Sequence, residues 1–88
     1  MSKQFKLSAH AQEEVERRRI PMQLVESVLN NPQQVVPAFR EKTAYQSELD
    51  FGSGKKYLLR AIVDDSVYPA AVITVYRTSK INKYWRKG

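Results

Sequence analysis

The sequence has no cysteine and only one histidine in its 88 residues. Without thiols the chain forms neither a disulfide nor a thiolate metal site, and one histidine allows a zinc site or a Ser-His-Asp triad only in a reduced form. No apolar run approaches the roughly 18 residues that a membrane span needs. Residues 1–6 lack the apolar core of a signal peptide. We therefore expect a cytoplasmic domain with no metal, no cofactor and no membrane contact.

Positive charge is what the sequence has in excess. Fifteen Lys and Arg residues outnumber nine Asp and Glu, which gives a net charge of +6 and an isoelectric point near 9.8. Residues 66–88 contain no acid and five bases, namely Arg77, Lys80, Lys83, Arg86 and Lys87. This excess favours a polyanionic partner and does not specify a fold. A chain of this length with 42% hydrophobic residues predicts one domain over residues 1–88.

Two helices are predicted in the first third of the chain. Ser8 is a suitable N-cap, because its hydroxyl can accept a hydrogen bond from a free amide of the first helical turn. The apolar spacing then predicts a helix over residues 9–18. Pro21 is suited to the first turn of a second helix, which the spacing extends over residues 21–29.

The remaining sequence predicts strands. Their expected bounds are residues 5–7, 34–39 with an interruption at Pro37, 43–51, 56–63 and 70–76. Residues 79–88 are expected to form a short basic helix or an irregular tail. The predicted fold class is α+β: a short strand, then two helices packed on one face of a mainly antiparallel sheet of about four strands, then the basic C-terminal helix or tail.

Alternation along the strands separates the two faces of the sheet. The apolar residues of the last two strands are expected to face the helices: Tyr57, Leu59, Ala61, Val63, Ala71, Ile73 and Val75. The opposite face then displays mostly polar side chains: Gln46, Glu48, Arg60, Thr74 and Tyr76. An open face that holds an arginine and a tyrosine beside a cationic C-terminus has the groups that a phosphate-binding surface needs.

Four segments carry a resemblance to a known family: residues 7–11 (LSAHA), 16–20 (ERRRI), 28–32 (VLNNP) and 72–76 (VITVY). With the order of strand, two helices and antiparallel sheet, they make the chain resemble the RelE/ParE superfamily of bacterial toxins. It is similar still more closely to a group of small uncharacterised domains near the BrnT-type toxins. The resemblance implies a ribonuclease toxin that cuts RNA without a metal and that an antitoxin protein neutralises.

The resemblance also implies site residues. Arg60 resembles the strand arginine of the superfamily's catalytic set, Arg77 resembles the base at the end of the last strand, and Tyr84 resembles the C-terminal tyrosine. Lys55 and Lys56 lie at a turn and match the catalytic lysines of ribosome-dependent members only loosely. The implied partners are RNA, either free or bound to the ribosome, and a cognate antitoxin, while a homodimer stays open.

Metal-free RNA cleavage needs a base for the 2′-hydroxyl, a cation for the charge that builds on the phosphate, and an acid for the leaving oxygen. Arg60 suits the second task because its planar guanidinium can bind two phosphate oxygens; the alternative is a cross-strand pair with Glu48. Tyr76 and Tyr84 are candidates for proton transfer. His10, near a helix N-terminus, is either a neutral base or a histidine that packs the strand-to-helix corner.

The C-terminal residues are candidates for RNA binding. Lys80, Lys83 and Arg86 supply positive charge, and Trp85 offers a ring on which a base can stack. They are either an RNA contact or a solvated tail. The predicted function is a metal-independent RNA endonuclease of the toxin type, and the alternative is an RNA- or protein-binding module of the same fold without chemistry.

Overall fold

The computed structural model describes residues 4–87. Its helices are α1 (Ala9–Arg17), α2 (Met22–Asn30) and α3 (Ile81–Tyr84), and a 3-10 turn spans Phe39–Glu41. Its strands are β1 (Phe5–Leu7), β2 (Gln34–Pro37), β3 (Thr43–Asp50), β4 (Lys56–Asp64) and β5 (Ala70–Thr78). Residues 1–3 and 88 lie outside the described residues, so the predicted domain over 1–88 and the signal-peptide expectation for residues 1–6 fall partly on them.

The strands form one sheet in the order β1-β5-β4-β3-β2. β1 runs parallel to β5, and the other neighbouring strands are antiparallel. The α+β class is confirmed, but the predicted sheet of about four mainly antiparallel strands is corrected to a five-stranded mixed sheet. Parallel neighbours need a long connection, and the chain between β1 and β5 supplies it with α1, α2 and three strands. β2 tolerates Pro37 because β2 is an edge strand.

Ser8 joins the start of α1 to β5. Its Oγ accepts a hydrogen bond from the N–H of Ala11 at 3.0 Å, which confirms the predicted cap, and donates to the C=O of Ile73 at 3.0 Å. The N–H of Ser8 donates to the C=O of Val72 at 3.0 Å. One serine therefore starts the helix and fixes it to the neighbouring strand.

The helices α1 and α2 cover one face of the sheet, here called the helix face. Their apolar residues and those of the strands enclose the main core: Ala11, Val15, Ile20, Val25, Val28, Leu29, Tyr45, Leu59, Ala61, Val63, Ala70, Val72 and Val75. The opposite face, here called the second face, carries a smaller buried apolar cluster of Val36, Ala44 and Ile62. The prediction that Leu59, Ala61 and Val63 face the helices is confirmed.

An irregularity in β5 overturns part of the predicted alternation. The pairing of β4 with β5 shifts between Ile62 and Val63, so that Val63 pairs with Val72 and Ile73 becomes an extra residue. One extra residue reverses which side chains face the core on one side of a bulge. Val72 is therefore buried in the main core, and the prediction that Ala71 faces the helices is wrong, because Ala71 pairs with Asp64 on the second face. Ile73, the extra residue, is partly buried and belongs to neither buried cluster.

The C-terminal residues form a short helix followed by irregular chain. α3 is a single turn, and residues 85–87 have no regular structure. Among residues 4–87, no helix has the length and apolarity needed to cross a membrane.

Glu14 forms ion pairs with two arginines near the end of α1, Arg17 and Arg18. Its buried carboxylate accepts hydrogen bonds from Arg17 and, at 3.0 Å, from Nε of Arg18. These bonds, first from Arg17 and then from Arg18, hold the pKa of Glu14 below its usual value of 4.5. A carboxyl whose pKa is lowered on folding stabilises the folded protein at pH values above the pKa of that carboxyl in the unfolded chain. That contribution is lost as the pH falls through the lower, folded pKa.

We expect Glu14→Gln to lower the melting temperature at pH 7, because it removes the charged partner of Arg17 and Arg18. The difference from the wild type should shrink as the pH falls below 4.5, where the carboxyl of the unfolded chain binds a proton, and should vanish below the lower pKa of the folded protein. Circular dichroism melts at pH 7 and pH 3 measure the effect, with Glu13→Gln on the exposed side of α1 as the control. A difference of the same size at both pH values would contradict the ion-pair explanation.

Candidate nucleic-acid interface

Four polar side chains form a row across the second face. They occupy directly paired positions on four neighbouring strands: Gln34 on β2, Gln46 on β3, Arg60 on β4 and Tyr76 on β5. We call these four residues the polar row. Directly paired residues of neighbouring strands have their Cβ atoms roughly 5 Å apart on the same face. The backbone register alone therefore brings these groups together.

Hydrogen bonds join the polar row from end to end. Nε of Arg60 donates to Oε1 of Gln46 at 2.9 Å, and Nε2 of Gln46 donates to Oε1 of Gln34 at 2.8 Å. Nη1 of Arg60 donates to the hydroxyl oxygen of Tyr76. Two nitrogens of the guanidinium are thus committed to neutral partners, which fixes the orientation of Arg60 before any ligand binds.

The polar row also holds the C-terminal segment, residues 79–87, against the second face. Nε2 of Gln46 donates to the C=O of Tyr84 at 3.1 Å. Gln34 exchanges two hydrogen bonds with the backbone of Arg86: its Nε2 donates to the C=O at 2.6 Å, and its Oε1 accepts from the N–H at 3.1 Å. The segment therefore packs on the side of the sheet away from α1 and α2.

Arg60 lies beneath the C-terminal segment with only 7% of its surface exposed. The ring centre of Tyr84 is 4.2 Å from its Cζ atom. Among residues 4–87 no carboxylate forms an ion pair with Arg60. The cross-strand pair with Glu48, the alternative that the sequence left open, does not form, because Glu48 pairs with Lys56 at 3.7 Å. Arg60 is thus on the face that the alternation predicts, but it is covered, because alternation carries no information on what packs over a face.

One nitrogen of the Arg60 guanidinium, Nη2, has no hydrogen-bond partner among the described residues, 4–87. Every side-chain nitrogen or oxygen atom that is fully buried in this part of the chain does have a hydrogen-bond partner. Nη2 must therefore keep contact with solvent. A fixed cation with neutral partners and one free donor is a group that a phosphate oxygen can satisfy.

Tyr76 keeps its proton beside Arg60. Burial raises the pKa of its hydroxyl above the usual 10.0, although the hydrogen bond and the charge of Arg60 oppose the shift. Tyr76 is therefore a neutral phenol at physiological pH. Its ring meets that of Tyr84 edge to face, with the ring centres 6.4 Å apart. Two of the predicted site tyrosines therefore flank the guanidinium.

Two other predicted catalytic residues lie elsewhere. Arg77 follows Tyr76 in β5, so its side chain is on the helix face, opposite Leu59. His10 belongs to α1, on the same side of the sheet, and its side chain is 61% exposed. The structure brings Arg60 and the two tyrosines together and does not bring Arg77 or His10 to them.

The predicted RNA-binding residues all belong to the C-terminal segment that covers Arg60. Lys80, Lys83 and Arg86 are exposed, and Trp85 is partly buried. Nζ of Lys83 lies 5.3 Å from the ring centre of Tyr84. The segment therefore combines positive charge with aromatic rings beside the polar row.

The two glutamines of the polar row were not predicted as site residues. Alternation predicts that Gln46 lies on the second face, but neither Gln34 nor Gln46 was predicted to hold the site. Their hydrogen bonds to the C-terminal backbone span 52 and 38 residues, a separation that local patterns do not report. The sequence carries no signal for this role, because the burial of Gln46, which is 0% exposed, appears only in the fold.

We expect Gln46→Leu to destabilise the protein by about 1–3 kcal/mol, because it leaves Nε of the buried Arg60 without its acceptor. Hydrogen exchange of residues 82–87 should also become faster, since Tyr84 loses its contact with β3. Denaturant unfolding and hydrogen-exchange mass spectrometry measure the two effects. Gln23→Leu, on the exposed side of α2, is the control. Unchanged exchange in folded Gln46→Leu would show that Gln46 does not hold the segment.

Comparison with known proteins identifies a family but no individual relative. One protein-family model, described as a domain of unknown function (DUF4258), matches residues 7–77. That range contains the whole polar row and ends before the C-terminal segment. No curated protein matches the chain, and no solved structure does. Because the match covers well over half of the sequence, the chain belongs to the DUF4258 family.

Proposed function

We propose that the protein is the toxin of a toxin–antitoxin pair and that it cleaves RNA in the cytoplasm without a metal ion. The observation that carries the proposal is the environment of Arg60, a guanidinium held by neutral partners, with Nη2 free and no ion pair to a carboxylate among residues 4–87. The resemblance to the RelE/ParE and BrnT-type toxins supplies the class of reaction and the antitoxin as partner.

When the 2′-oxygen attacks the phosphate, its proton passes to solvent water, and Arg60 stabilises the negative charge that develops on the phosphate. Nη2 is the donor that reaches the phosphate, while Nε and Nη1 stay bound to the polar row. Tyr76 accepts a hydrogen bond from Arg60, so its own proton is not used in that bond and can pass to the leaving 5′-oxygen. The ring of Tyr84 provides a surface on which a base can stack.

A second candidate is an RNA-binding module without chemistry. The covered position of Arg60 favours this candidate. So do the positions of the side chains that could act as the general base for the 2′-hydroxyl. His10 lies on the other side of the sheet, and the described residues pair no carboxylate with Arg60. Binding in this case uses the same C-terminal segment, so the two candidates differ only in whether the RNA is cut.

We expect Arg60→Gln to reduce RNA cleavage by about 10²–10³, the loss typical for removing one donor to a developing oxyanion. Purified protein is incubated with RNA in EDTA, with and without ribosomes, and growth is followed on expression. Arg40→Gln removes the same charge from the exposed 3-10 turn and is the matched control.

A folded Arg60→Gln protein that cleaves at the wild-type rate would remove Arg60 from the mechanism. A wild-type protein that binds RNA, yet cuts none under either condition and does not arrest growth, would replace the nuclease by the second candidate.

We expect truncation after Thr78 to weaken RNA binding. It removes four bases, Lys80, Lys83, Arg86 and Lys87, so the slope of log affinity against log salt should fall in magnitude by up to about 3. Fluorescence anisotropy across a salt series measures it. A full-length variant with the four bases changed to Gln keeps the backbone contacts of the segment and separates charge from packing. Unchanged affinity in both proteins would show that the segment is not the contact surface.

A further inference from the structure

A second group of cations and rings lies on the helix face, at the hairpin that joins β3 to β4. It consists of Phe51, Lys55, Tyr57 and Arg77, here called the hairpin cluster. Cζ of Arg77 is 4.8 Å from the ring centres of both Phe51 and Tyr57. Nζ of Lys55 is 5.4 Å from the ring centre of Tyr57. The two rings meet edge to face, with centres 5.7 Å apart.

The geometry of the hairpin keeps this cluster in place. Oδ1 of Asp50 accepts hydrogen bonds from the N–H groups of Gly52 and Gly54, at 2.7 and 3.2 Å. Both glycines have a positive φ, 99° and 81°, which glycine adopts without strain. The acid nearest to the cluster in sequence therefore serves the turn, and its carboxylate forms no ion pair with Lys55 or Arg77 in the described part of the chain.

The positive charge of the cluster is consequently not neutralised by the described residues. Phe51 packs against the main core, but Tyr57 and Arg77 are only partly buried and Lys55 is exposed. A cation beside an accessible aromatic ring is the combination with which proteins bind single-stranded nucleic acid: the ring stacks on a base and the cation binds the adjacent phosphate.

We propose that the hairpin cluster is a second binding site for single-stranded RNA, separate from the polar row, in which a base stacks on Tyr57 and a phosphate binds to Arg77 and Lys55. The proposal rests on the proposed function, because RNA is the partner in both. It also gives Arg77 a role on the helix face that does not require contact with Arg60.

Both sites lie near the end of the sheet where β4 begins and β5 finishes. Tyr57 and Arg60 are three residues apart on β4, which corresponds to about 10 Å along the strand, and their side chains are on opposite faces. An RNA strand of several nucleotides that passes round this end of the sheet contacts both sites. Binding at the hairpin cluster thus extends the contact beyond the phosphate at Arg60.

A fluorescent probe tests the stacking directly. In a Trp85→Phe background, Tyr57→Trp makes position 57 the single tryptophan, and the probe is titrated with a 12-nucleotide deoxyuridine oligomer, which lacks the 2′-hydroxyl and is not cleaved. We expect the fluorescence to be quenched with the same midpoint as the anisotropy of a labelled oligomer. Polyphosphate, which has no bases, should not quench it. Unchanged fluorescence at saturation, or equal quenching by polyphosphate, would overturn the proposal.

Affinity measurements separate this proposal from the proposed function and do not depend on the tryptophan variant. We expect Arg77→Gln to weaken binding of the oligomer about tenfold, in line with the loss of one charged contact to a phosphate. Lys55→Gln, in the exposed turn, should weaken it too, and Arg40→Gln is the charge-matched control.

If Arg60→Gln weakens binding while Arg77→Gln and Lys55→Gln behave like the control, the hairpin cluster is not a site and the proposed function stands. If the two hairpin variants weaken binding and Arg60→Gln does not, the hairpin cluster is a site and the polar row is not.

Discussion

A buried guanidinium that is hydrogen-bonded to neutral groups determines the rest of the second face. A charge removed from water is unfavourable unless hydrogen bonds replace its hydration, and Arg60 obtains such bonds from Gln46 and Tyr76. Neutral partners satisfy the guanidinium without cancelling its charge, so it keeps its attraction for an anion. Glu48, two residues beyond Gln46 on β3, could have neutralised it but is bound to Lys56.

The main hydrophobic core lies on the helix face only, and this leaves the second face free to carry the polar row. Because α1 and α2 supply the main core on the helix face, the second face needs only a small apolar cluster and can devote a complete row of paired positions to polar groups. The row holds the C-terminal segment through the backbone of Tyr84 and Arg86. The basic side chains of the segment therefore do not hold it to the sheet. Those of Lys83 and Arg86 stay exposed, where a polyanion can reach them.

Local patterns predicted the parts of the structure that local forces determine. The cap at Ser8 and the face on which Arg60 lies follow from hydrogen-bonding chemistry and from the period of two. The bulge at Ile73 was not predicted, because Ala71, Val72 and Ile73 are all apolar and alternation alone does not show where an extra residue shifts the register. The path of the C-terminal segment, which covers Arg60, depends on hydrogen bonds to Gln34 and Gln46, and no local sequence pattern predicts these.

The central claim, that Arg60 is the anion-binding group of the second face, can be tested by an NMR titration of isotope-labelled protein with the uncleavable deoxyuridine oligomer. The Nε–H signal of Arg60 and the indole N–H of Trp85, the single tryptophan, report the guanidinium and the segment above it. We expect both signals to shift together in one saturable, salt-sensitive process. An unchanged Arg60 signal at saturation, with shifts confined to arginines of α1 or the 3-10 turn, would contradict the claim.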